Sequence, residues 1–480
     1  MMSRFIGREQ ELDALGMFLQ KKSASLVVIK GRRRIGKSRL VEEFAKRNHF
    51  DAFYTISGLS PTPETTAQSE RDAFASQLDA ISGIAGIRSN DWASLFLLFN
   101  ERIQEKRVLV LFDEISWMGS KDPDFLGKFK NAWDLHFKKN DNLIFILCGS
   151  VSSWIEENIL ASTGFVGRIS YVLNLKEMPL PDCTKFWGTS SSQVSSFEKF
   201  KVLSVTGGVP LYLEHINPQL SAEENITALC FRSGGLLVRE FDNIFTDLFS
   251  NKNATYKKIV ETLANGASTQ EEICQKIGLK RSGDISRYLA DLIQAGFISR
   301  DRTWQFKTGK TSRLSQYRVS DNYSRFYLKY IEPNRGKIEQ DQFLSKTVSG
   351  LTKWTIIMGL QFENLVLSNR QIIWNMLKIE SEDILCNNPY FQRPTKRHPG
   401  CQVDYLIQTR FNTVYICEIK FTQKELGTSI IKEVSEKIKS LSLPKHFSYR
   451  PVLIHVNGVS DEVAESGFFS KIIDFGDFLK

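Results

Sequence analysis

A glycine-framed loop near the start of the chain has the residue types that wrap a phosphate group. Gly31-Arg32-Arg33-Arg34-Ile35-Gly36-Lys37-Ser38 fits the pattern G-x-x-x-x-G-K-[ST] in full. A short apolar run, residues 26–30, precedes it, and a helical pattern, residues 39–47, follows it. The glycines let backbone N–H groups turn toward phosphate oxygens, and the helix N-terminus adds partial positive charge. The loop and Arg39 at the start of the helix are therefore predicted to bind ATP.

Polar side chains in and after this loop have distinct expected roles. Lys37 is predicted to bridge the β- and γ-phosphates, and Ser38 to bind Mg²⁺. The apolar run 108–112 ends in Asp113 and Glu114. Asp113 is expected to hold Mg²⁺ through water, and Glu114 to polarise the attacking water. A glutamate directly after the metal-binding aspartate favours ATP hydrolysis, with an exposed acidic turn as the alternative.

Two further residues are candidates for acting on the γ-phosphate. A later apolar run ends in Cys148-Gly149-Ser150, which predicts that Ser150 senses the γ-phosphate. Arg168, in Gly167-Arg168-Ile169, fits an arginine finger that acts within the chain or across an oligomer. An ordinary surface arginine is the alternative for Arg168.

The elements that must position these residues alternate along the first 180 positions. Strands are predicted at 26–30, 52–57, 108–112, 143–148 and 171–175, with helical patterns between them. Short apolar strands that alternate with helices indicate an α/β fold with a parallel sheet between helices. The predicted domains are a P-loop ATPase core at 1–180, a helical lid at 181–249, a third domain at 250–332 and a fourth at 338–480. Residues 333–337 are predicted to be a linker.

Three sequence features of the first half carry a family resemblance. Phe5-Ile6-Gly7-Arg8-Glu9, the Asp113-Glu114 pair and Gly207-Gly208-Val209-Pro210 occur in this order. Together with the loop they resemble the prokaryotic "archaeal ATPase" family, a branch of the AAA+/STAND-related P-loop NTPases. The resemblance implies that Arg8 lies near the adenine pocket. It also implies that Gly208 to Pro210 opens a helical lid over the nucleotide.

The third domain is predicted to have three short helices and then two strands. A capping box of Ser268 and Glu271 opens the second helix. The third helix, residues 282–295, resembles the second helix of a winged helix-turn-helix, with wing strands at 297–302 and 314–320. The basic residues of the wing are Arg300, Arg302, Lys307, Lys310, Arg313 and Arg318. With Arg281 and Arg287 beside the recognition helix they favour DNA contact, and packing against the ATPase is the alternative.

A hairpin in the fourth domain places acidic residues opposite each other. Strands at 402–408 and 413–421 flank a short turn, and symmetry about Phe411 sets Asp404 opposite Glu418. Opposed like charges destabilise a sheet, and a divalent cation between them relieves the repulsion. Lys420, on the same face, is expected to stabilise charge on a scissile phosphate. The hairpin thus predicts a second metal site.

The pattern Asp404-x13-Glu418-x-Lys420 resembles the PD-(D/E)xK nuclease superfamily. Glu363, in a preceding helical pattern, matches the upstream acid of that superfamily, although Val403 replaces its usual proline. The resemblance implies a restriction-endonuclease-like α/β domain with Glu363, Asp404 and Glu418 as metal ligands. Such domains attached to these ATPases resemble the DUF234 module, for which the resemblance implies no cleavage activity.

Composition limits the remaining classes of function. A chain of 480 residues is long enough for two to four domains, and its net charge of +9 permits a polyanionic partner. The sequence shows no signal peptide and no apolar stretch of membrane-spanning length. Seven scattered cysteines without Cys-x-x-Cys pairs favour the cytoplasm. An Mg-ATPase that acts on DNA is the first hypothesis, and an ATP-dependent switch with an inert nuclease-like domain is the second. Either hypothesis permits a homo-oligomer.

Overall fold

The computed structural model describes residues 5–60, 62, 64–104, 106–150, 153–249, 253–343, 347–394 and 399–480. The chain divides into two compact units, Met1–Met178 and Pro179–Lys480. The finer division predicted from the sequence stays a prediction.

The first unit contains a five-stranded parallel sheet with the strand order β2-β3-β4-β1-β5. The strands are β1 Ser25–Gly31, β2 Ala52–Ser57, β3 Val108–Asp113, β4 Ile144–Ser150 and β5 Ile169–Leu175. All five strands were predicted from the sequence, and the predicted α/β fold is confirmed. Because β4 lies between β3 and β1, the carboxyl ends of these three strands meet at one edge of the sheet.

Helices cover both faces of this sheet, which explains why its central strands are continuous apolar runs. The α-helices of the first unit are Glu9–Gly16, Lys37–Arg47, Ala67–Ser82, Trp92–Ile103, Ile115–Ser120, Phe125–Leu135 and Ser153–Ile155. On one face, Phe112 and Phe145 pack in an aromatic cluster with the side chains of the helices. On the other face, Val27 and Ile29 pack on Leu40 of the helix that follows the phosphate loop.

The second unit begins with a helical region, as predicted. Its α-helices are Leu180–Cys183, Ser196–Thr206, Pro210–Leu213, Ala222–Cys230 and Glu240–Phe249. Three helices, Asn253–Leu263, Gln270–Ile277 and Gly283–Gln294, then precede the antiparallel pair β6 Ile298–Trp304 and β7 Thr311–Val319. The predicted capping box is wrong by one residue, because Thr269 and Glu272 form it.

The β6–β7 hairpin, which is the predicted wing, packs on the C-terminal sheet. Trp304 and Phe306 are buried in the same cluster as Val403 and Leu406. Trp304 Nε1 donates to Gln408 Oε1 at 2.6 Å, and Gln408 Nε2 donates to the Phe306 carbonyl at 2.8 Å. The wing is thus a structural junction within the second unit.

Residues 333–337, predicted to be a linker, are helical. A 3-10 turn at Glu332–Asn334 leads directly into the α-helix Arg335–Glu339. Arg335 pairs with Asp242 and hydrogen bonds the Tyr327 hydroxyl. The proline and glycine suggested a flexible connection, but contacts with the preceding helices fix the local structure.

The C-terminal sheet has five strands in the order β12-β11-β10-β9-β8. They are β8 Ile384–Gln392, β9 Cys401–Thr409, β10 Thr413–Phe421, β11 Ser448–Val456 and β12 Lys471–Asp474. β8, β9 and β10 are antiparallel, whereas β10, β11 and β12 are parallel. The α-helices of this region are Trp354–Ser368, Arg370–Leu377, Ser429–Ser440 and Asp461–Glu465.

Candidate active site

The phosphate loop joins the end of β1 to the helix Lys37–Arg47. Gly36 has φ 87° and Arg34 has φ 68°, so both residues adopt left-handed conformations that turn the backbone inward. A Cβ on Gly31 would lie 2.5 Å from the Leu175 carbonyl oxygen, which explains the glycine at the loop entry. The helix N-terminus directly follows the loop, as a phosphate cradle requires.

Lys37 and Ser38 are held at the base of the loop. Lys37 is 6% exposed, and its Nζ donates to the carbonyl oxygens of Gly31 at 3.2 Å and Arg32 at 3.4 Å. Ser38 Oγ donates to Asp113 Oδ2 at 2.6 Å. The serine and aspartate predicted to share a magnesium ion are therefore in direct contact.

Glu114 and Ser150 complete this edge of the sheet. Ser150 lies beside Gly31 in the β1–β4 register, which places it next to the loop. Its backbone N–H and its hydroxyl donate to Glu114 Oε2 and Oε1, each at 3.3 Å. Glu114 itself adopts a left-handed conformation with φ 50° at the start of the next helix. The structure thus brings together the four residues Ser38, Asp113, Glu114 and Ser150.

These residues fit Mg-ATP. Ser38 and Asp113 offer the hard oxygen ligands that Mg²⁺ prefers, and the Lys37 ammonium and loop N–H groups suit phosphate oxygens. Bound Mg²⁺ would supply positive charge beside the β- and γ-phosphate oxygens. Ser150 holds the carboxylate of Glu114, one residue beyond Asp113, and the role of Glu114 in polarising the attacking water stays a prediction.

Arginines of the phosphate loop and of the N-terminal motif make contacts in and around the loop. Arg8 is 4% exposed, and its Nη2 donates to the Ile35 carbonyl at 3.3 Å. Arg32 Nη1 lies 3.5 Å from Glu177 Oε1, and Arg33 Cζ lies 6.0 Å from the Trp117 ring centroid. Arg8 therefore contacts the phosphate loop, and its role near adenine stays a prediction. Nucleotide contacts by Arg32, Arg33, Arg34, Ile35 and Arg39 also stay predictions.

Arg168 lies at the opposite end of the sheet from the phosphate loop. The next residue, Ile169, pairs with Leu26 at the start of β1, whereas the loop follows Gly31 at its end. These five strand steps separate the two sites by about 16 Å. Arg168 forms two hydrogen bonds with Asp134, at 2.9 and 2.7 Å. The Arg168 guanidinium holds the pKa of Asp134 well below its usual range. An arginine finger within the chain is therefore wrong, and one across an oligomer stays a prediction.

The Gly208–Pro210 motif belongs to the second unit. Pro210 begins the short helix Pro210–Leu213, where the fixed φ of proline suits the first helical position. Its predicted role in a lid over the nucleotide stays a prediction.

The C-terminal hairpin has the register predicted from the sequence. Gln408 pairs with Val414 and Tyr405 with Cys417, so the hairpin is symmetric about Phe411. Continuing this register sets Asp404 opposite Glu418. Glu418 is 1% exposed, and Asp404 Oδ2 accepts a hydrogen bond from the Ile419 N–H at 2.9 Å.

A lysine missed by the sequence reasoning binds this acid pair. Lys437, on the helix Ser429–Ser440, donates to both Glu418 carboxylate oxygens at 2.7 Å and lies 4.0 Å from Asp404 Oδ1. Lys420 Nζ contacts Glu418 Oε1 at 2.9 Å and Glu433 Oε1 at 2.7 Å. Burial raises the pKa of Glu418 and of Asp404, while the lysines act in the opposite direction. The i,i+4 spacing of Glu433 and Lys437 predicts a pair within the helix, but it does not predict the contact with Glu418.

Glu363 lies close enough to the acid pair to interact with it, because its negative charge contributes to the raised pKa of Asp404. It belongs to the helix Trp354–Ser368 and lines a cavity with Gln402 and the buried arginines Arg318 and Arg325. Burial raises the pKa of Glu363, and the two arginines act in the opposite direction. Within the described ranges, no three His, Cys, Asp or Glu side chains are arranged to hold a metal ion. The Glu363–Asp404–Glu418 metal site therefore stays a prediction, and basic side chains contact Asp404 and Glu418 in this structure.

The predicted wing and the predicted recognition helix, Gly283–Gln294, present basic side chains to solvent. Five of the six predicted wing residues are exposed, and they are Arg300, Arg302, Lys307, Lys310 and Arg313. The sixth residue, Arg318, is not exposed to solvent. It is buried, and its Nε donates to Asp301 Oδ2 at 2.8 Å. On the recognition helix, Arg287 is exposed and pairs with Asp284 at 2.7 Å.

Comparison with known proteins finds a family model that matches the N-terminal region. Residues 5–216 match the model of an ATPase domain predominantly from Archaea. This match confirms the archaeal ATPase resemblance for that region. The chain is also 27% identical over 339 residues to an uncharacterized protein of Methanocaldococcus jannaschii, and the match covers 71% of each protein.

Solved structures with low sequence identity are also similar. A Walker-type ATPase of Pyrococcus abyssi matches with a TM-score of 0.49 and 16% identity, over 68% of this chain and 96% of that one. The ORC2 protein of Aeropyrum pernix, in ADPNP–ADP complexes, matches with a TM-score of 0.42 and 14% identity, over 71% of this chain and 97% of that one.

The described residues contain no helix that is long and apolar enough to cross a membrane.

Proposed function

We propose that the first unit is an Mg²⁺-dependent ATPase. The observation that carries this proposal is the series of hydrogen bonds at the carboxyl edge of the sheet, in which Ser38 bonds Asp113 and Ser150 bonds Glu114. Simple nucleotide storage needs a phosphate cradle and a metal ligand, but it does not need a second carboxylate held beside them. Glu114 is that second carboxylate.

Each residue contributes a defined step to hydrolysis. The loop N–H groups and Lys37 bind the phosphates, while Ser38 and Asp113 position the metal. Glu114 orients the attacking water and accepts a hydrogen bond from it, and Ser150 fixes the direction of the Glu114 carboxylate.

Replacement of Glu114 by glutamine tests this assignment. We expect turnover to fall by about 10²–10⁴-fold, the usual contribution of a positioned acid or base, while ATP still binds. Glu42→Gln, on the exposed side of the helix after the loop, is the matched control and should hydrolyse ATP normally. Unchanged turnover in Glu114→Gln would exclude Glu114 from catalysis.

We propose further that the winged-helix region contacts DNA. Five exposed basic residues on the wing and Arg287 on the recognition helix support this proposal, because phosphate contacts dominate the affinity for DNA. The buried position of Trp304 and Phe306 restricts the contact to the exposed face of the hairpin. The affinity for duplex DNA, measured at several salt concentrations, tests the proposal. The affinity of Arg287→Ala should depend less on salt than that of the control Lys258→Ala, which changes an exposed lysine. Equal salt dependence of the two variants would contradict the proposal.

We also propose that the C-terminal domain is nuclease-like, and the opposed carboxylates of the β9–β10 hairpin support this proposal. The second candidate is an ATP-dependent switch with a catalytically inert C-terminal domain, which the Lys437–Glu418 contact favours. Nicking of DNA with Mg²⁺ or Mn²⁺ by the unmutated chain but not by Glu418→Ala would support cleavage. Equal results for both proteins would support the switch.

ATP use and seven free cysteines support a cytoplasmic location.

A further inference from the structure

The acid pair of the C-terminal hairpin already holds two cations of the protein. Lys437 donates to both oxygens of Glu418 and approaches Asp404, and Lys420 contacts Glu418 from the same strand. Glu433 pairs with both lysines as well, at 2.7 Å from Lys420 and 3.7 Å from Lys437. Three carboxylates thus face two ammonium groups, so the lysines relieve a large part of the like-charge repulsion that would draw a divalent ion into the site.

The position of Lys437 is set by a packed helix. Ile430 and Val434 of the helix Ser429–Ser440 are buried in a cluster with Leu453 of β11. The backbone at Lys437 also accepts a hydrogen bond from Cys401 Sγ at 3.4 Å. The packing of the helix therefore places the Lys437 ammonium at Glu418. The Lys437 side chain is 24% exposed, so the ammonium can move from Glu418 into solvent.

We propose that Lys437 is the resident cation of this site and determines whether a divalent metal can enter. The inference rests on the proposed nuclease-like site, but it concerns metal occupancy and not cleavage. The Lys437 ammonium contacts both carboxylate oxygens of Glu418, so a metal ion on Glu418 must displace it. While Lys437 is in place, the domain is metal-free and its acid pair is a structural ion-pair network.

The electrostatic effect is large at this distance. A like charge within about 4 Å of a bound cation opposes the binding of that cation strongly in a partly buried site. Replacement of the Lys437 ammonium by a neutral amide removes this repulsion, and Glu418 then keeps its contact with Lys420 while it loses the one with Lys437. We therefore expect the apparent affinity for a divalent ion to rise by at least about tenfold.

Mn²⁺ binding to the full chain without nucleotide tests the proposal by titration calorimetry. Lys437→Gln should gain one Mn²⁺ site that the unmutated chain lacks. Lys439→Gln, which changes an exposed lysine of the same helix, should gain none. The double variant Lys437→Gln/Glu418→Gln should lose the gained site, which assigns it to the hairpin and not to the phosphate loop.

Two results would overturn the proposal. One is an Mn²⁺ site in the unmutated chain that Glu418→Gln removes and Lys437→Gln does not strengthen. The other is a folded Lys437→Gln protein, verified by its thermal unfolding, that gains no site. Lys437→Arg retains the positive charge and should remain metal-free. Because the measurement is metal binding, it decides the role of Lys437 whether or not the domain cleaves DNA.

Discussion

Lys37→Ala should remove most of the stabilisation that Mg-ATP gives to the protein. Lys37 is buried at the base of the phosphate loop, and its ammonium bonds two backbone carbonyl oxygens of that loop. The fold itself therefore holds the side chain in the loop that receives the β- and γ-phosphates. Little ordering cost opposes its interaction with them.

The expected size follows from the hydrogen bonds to phosphate that the substitution removes. Two charge-assisted hydrogen bonds at about 1.5 kcal/mol each give about 3 kcal/mol, which weakens ATP binding about 160-fold. At a ligand concentration of about 100 times the original Kd, ATP stabilises the unmutated fold by about 2.7 kcal/mol. The same concentration is about 0.6 times the Kd of the variant, and it gives about 0.3 kcal/mol.

Thermal unfolding with and without Mg-ATP measures this difference, and a phosphate-release assay follows turnover in the same samples. Lys46→Ala is the matched control, because Lys46 lies on the same helix but is exposed. The control should keep the full nucleotide-dependent shift in unfolding temperature. If Lys37→Ala keeps the same shift and turnover as Lys46→Ala, the loop is not the ATP site and the proposed function fails.

Three other substitutions test the hydrogen bond from Ser150 to Glu114, the packing of Trp304 on the C-terminal sheet, and the basic residues of the predicted wing. Ser150→Ala should lower kcat about tenfold and leave ATP affinity unchanged, because its hydroxyl bonds Glu114; a weaker affinity for ATP would instead support the predicted contact of Ser150 with the γ-phosphate, and steady-state kinetics separates the two effects. Trp304→Ala should destabilise the second unit by about 3–5 kcal/mol in urea unfolding, since it empties a buried site and leaves Gln408 without its donor. Arg302→Ala should reduce the slope of log K against log salt for duplex DNA by about 1, and an unchanged slope would exclude a phosphate contact.

Local patterns were sufficient to predict the parallel sheet and the C-terminal hairpin. β3 and β4 are apolar runs of strand length that end in the polar residues Asp113 and Ser150, and β1 is an apolar run that leads into the phosphate loop, so the pattern predicts each element and which end of it carries the polar residues. The hairpin register follows from its short turn, because a symmetric turn determines every opposed pair. The parallel strand order could not be derived in the same way, since it depends on how distant segments pack.

Arg168 and Arg318 show where sequence reasoning failed. Both are arginines beside predicted functional elements, and both pair with an aspartate, Asp134 or Asp301. Asp134 lies 34 residues before its partner and Asp301 lies 17 residues before. Such pairs depend on helix and strand packing, so a count of basic residues along the chain overstates the charge that a ligand can reach.

The Asp404–Glu418 pair shows in one site what the sequence can predict and what depends on tertiary packing. The sequence was sufficient to show that two carboxylates must oppose each other and that a cation must compensate them. It did not show which cation, because Lys437 comes from a helix that follows the hairpin and meets it only after tertiary packing. A protein ammonium and a divalent metal satisfy the same local electrostatic requirement, but they have opposite consequences for catalysis. An acidic constellation in a sequence therefore establishes the need for positive charge, and only the three-dimensional neighbours decide whether the protein already supplies it.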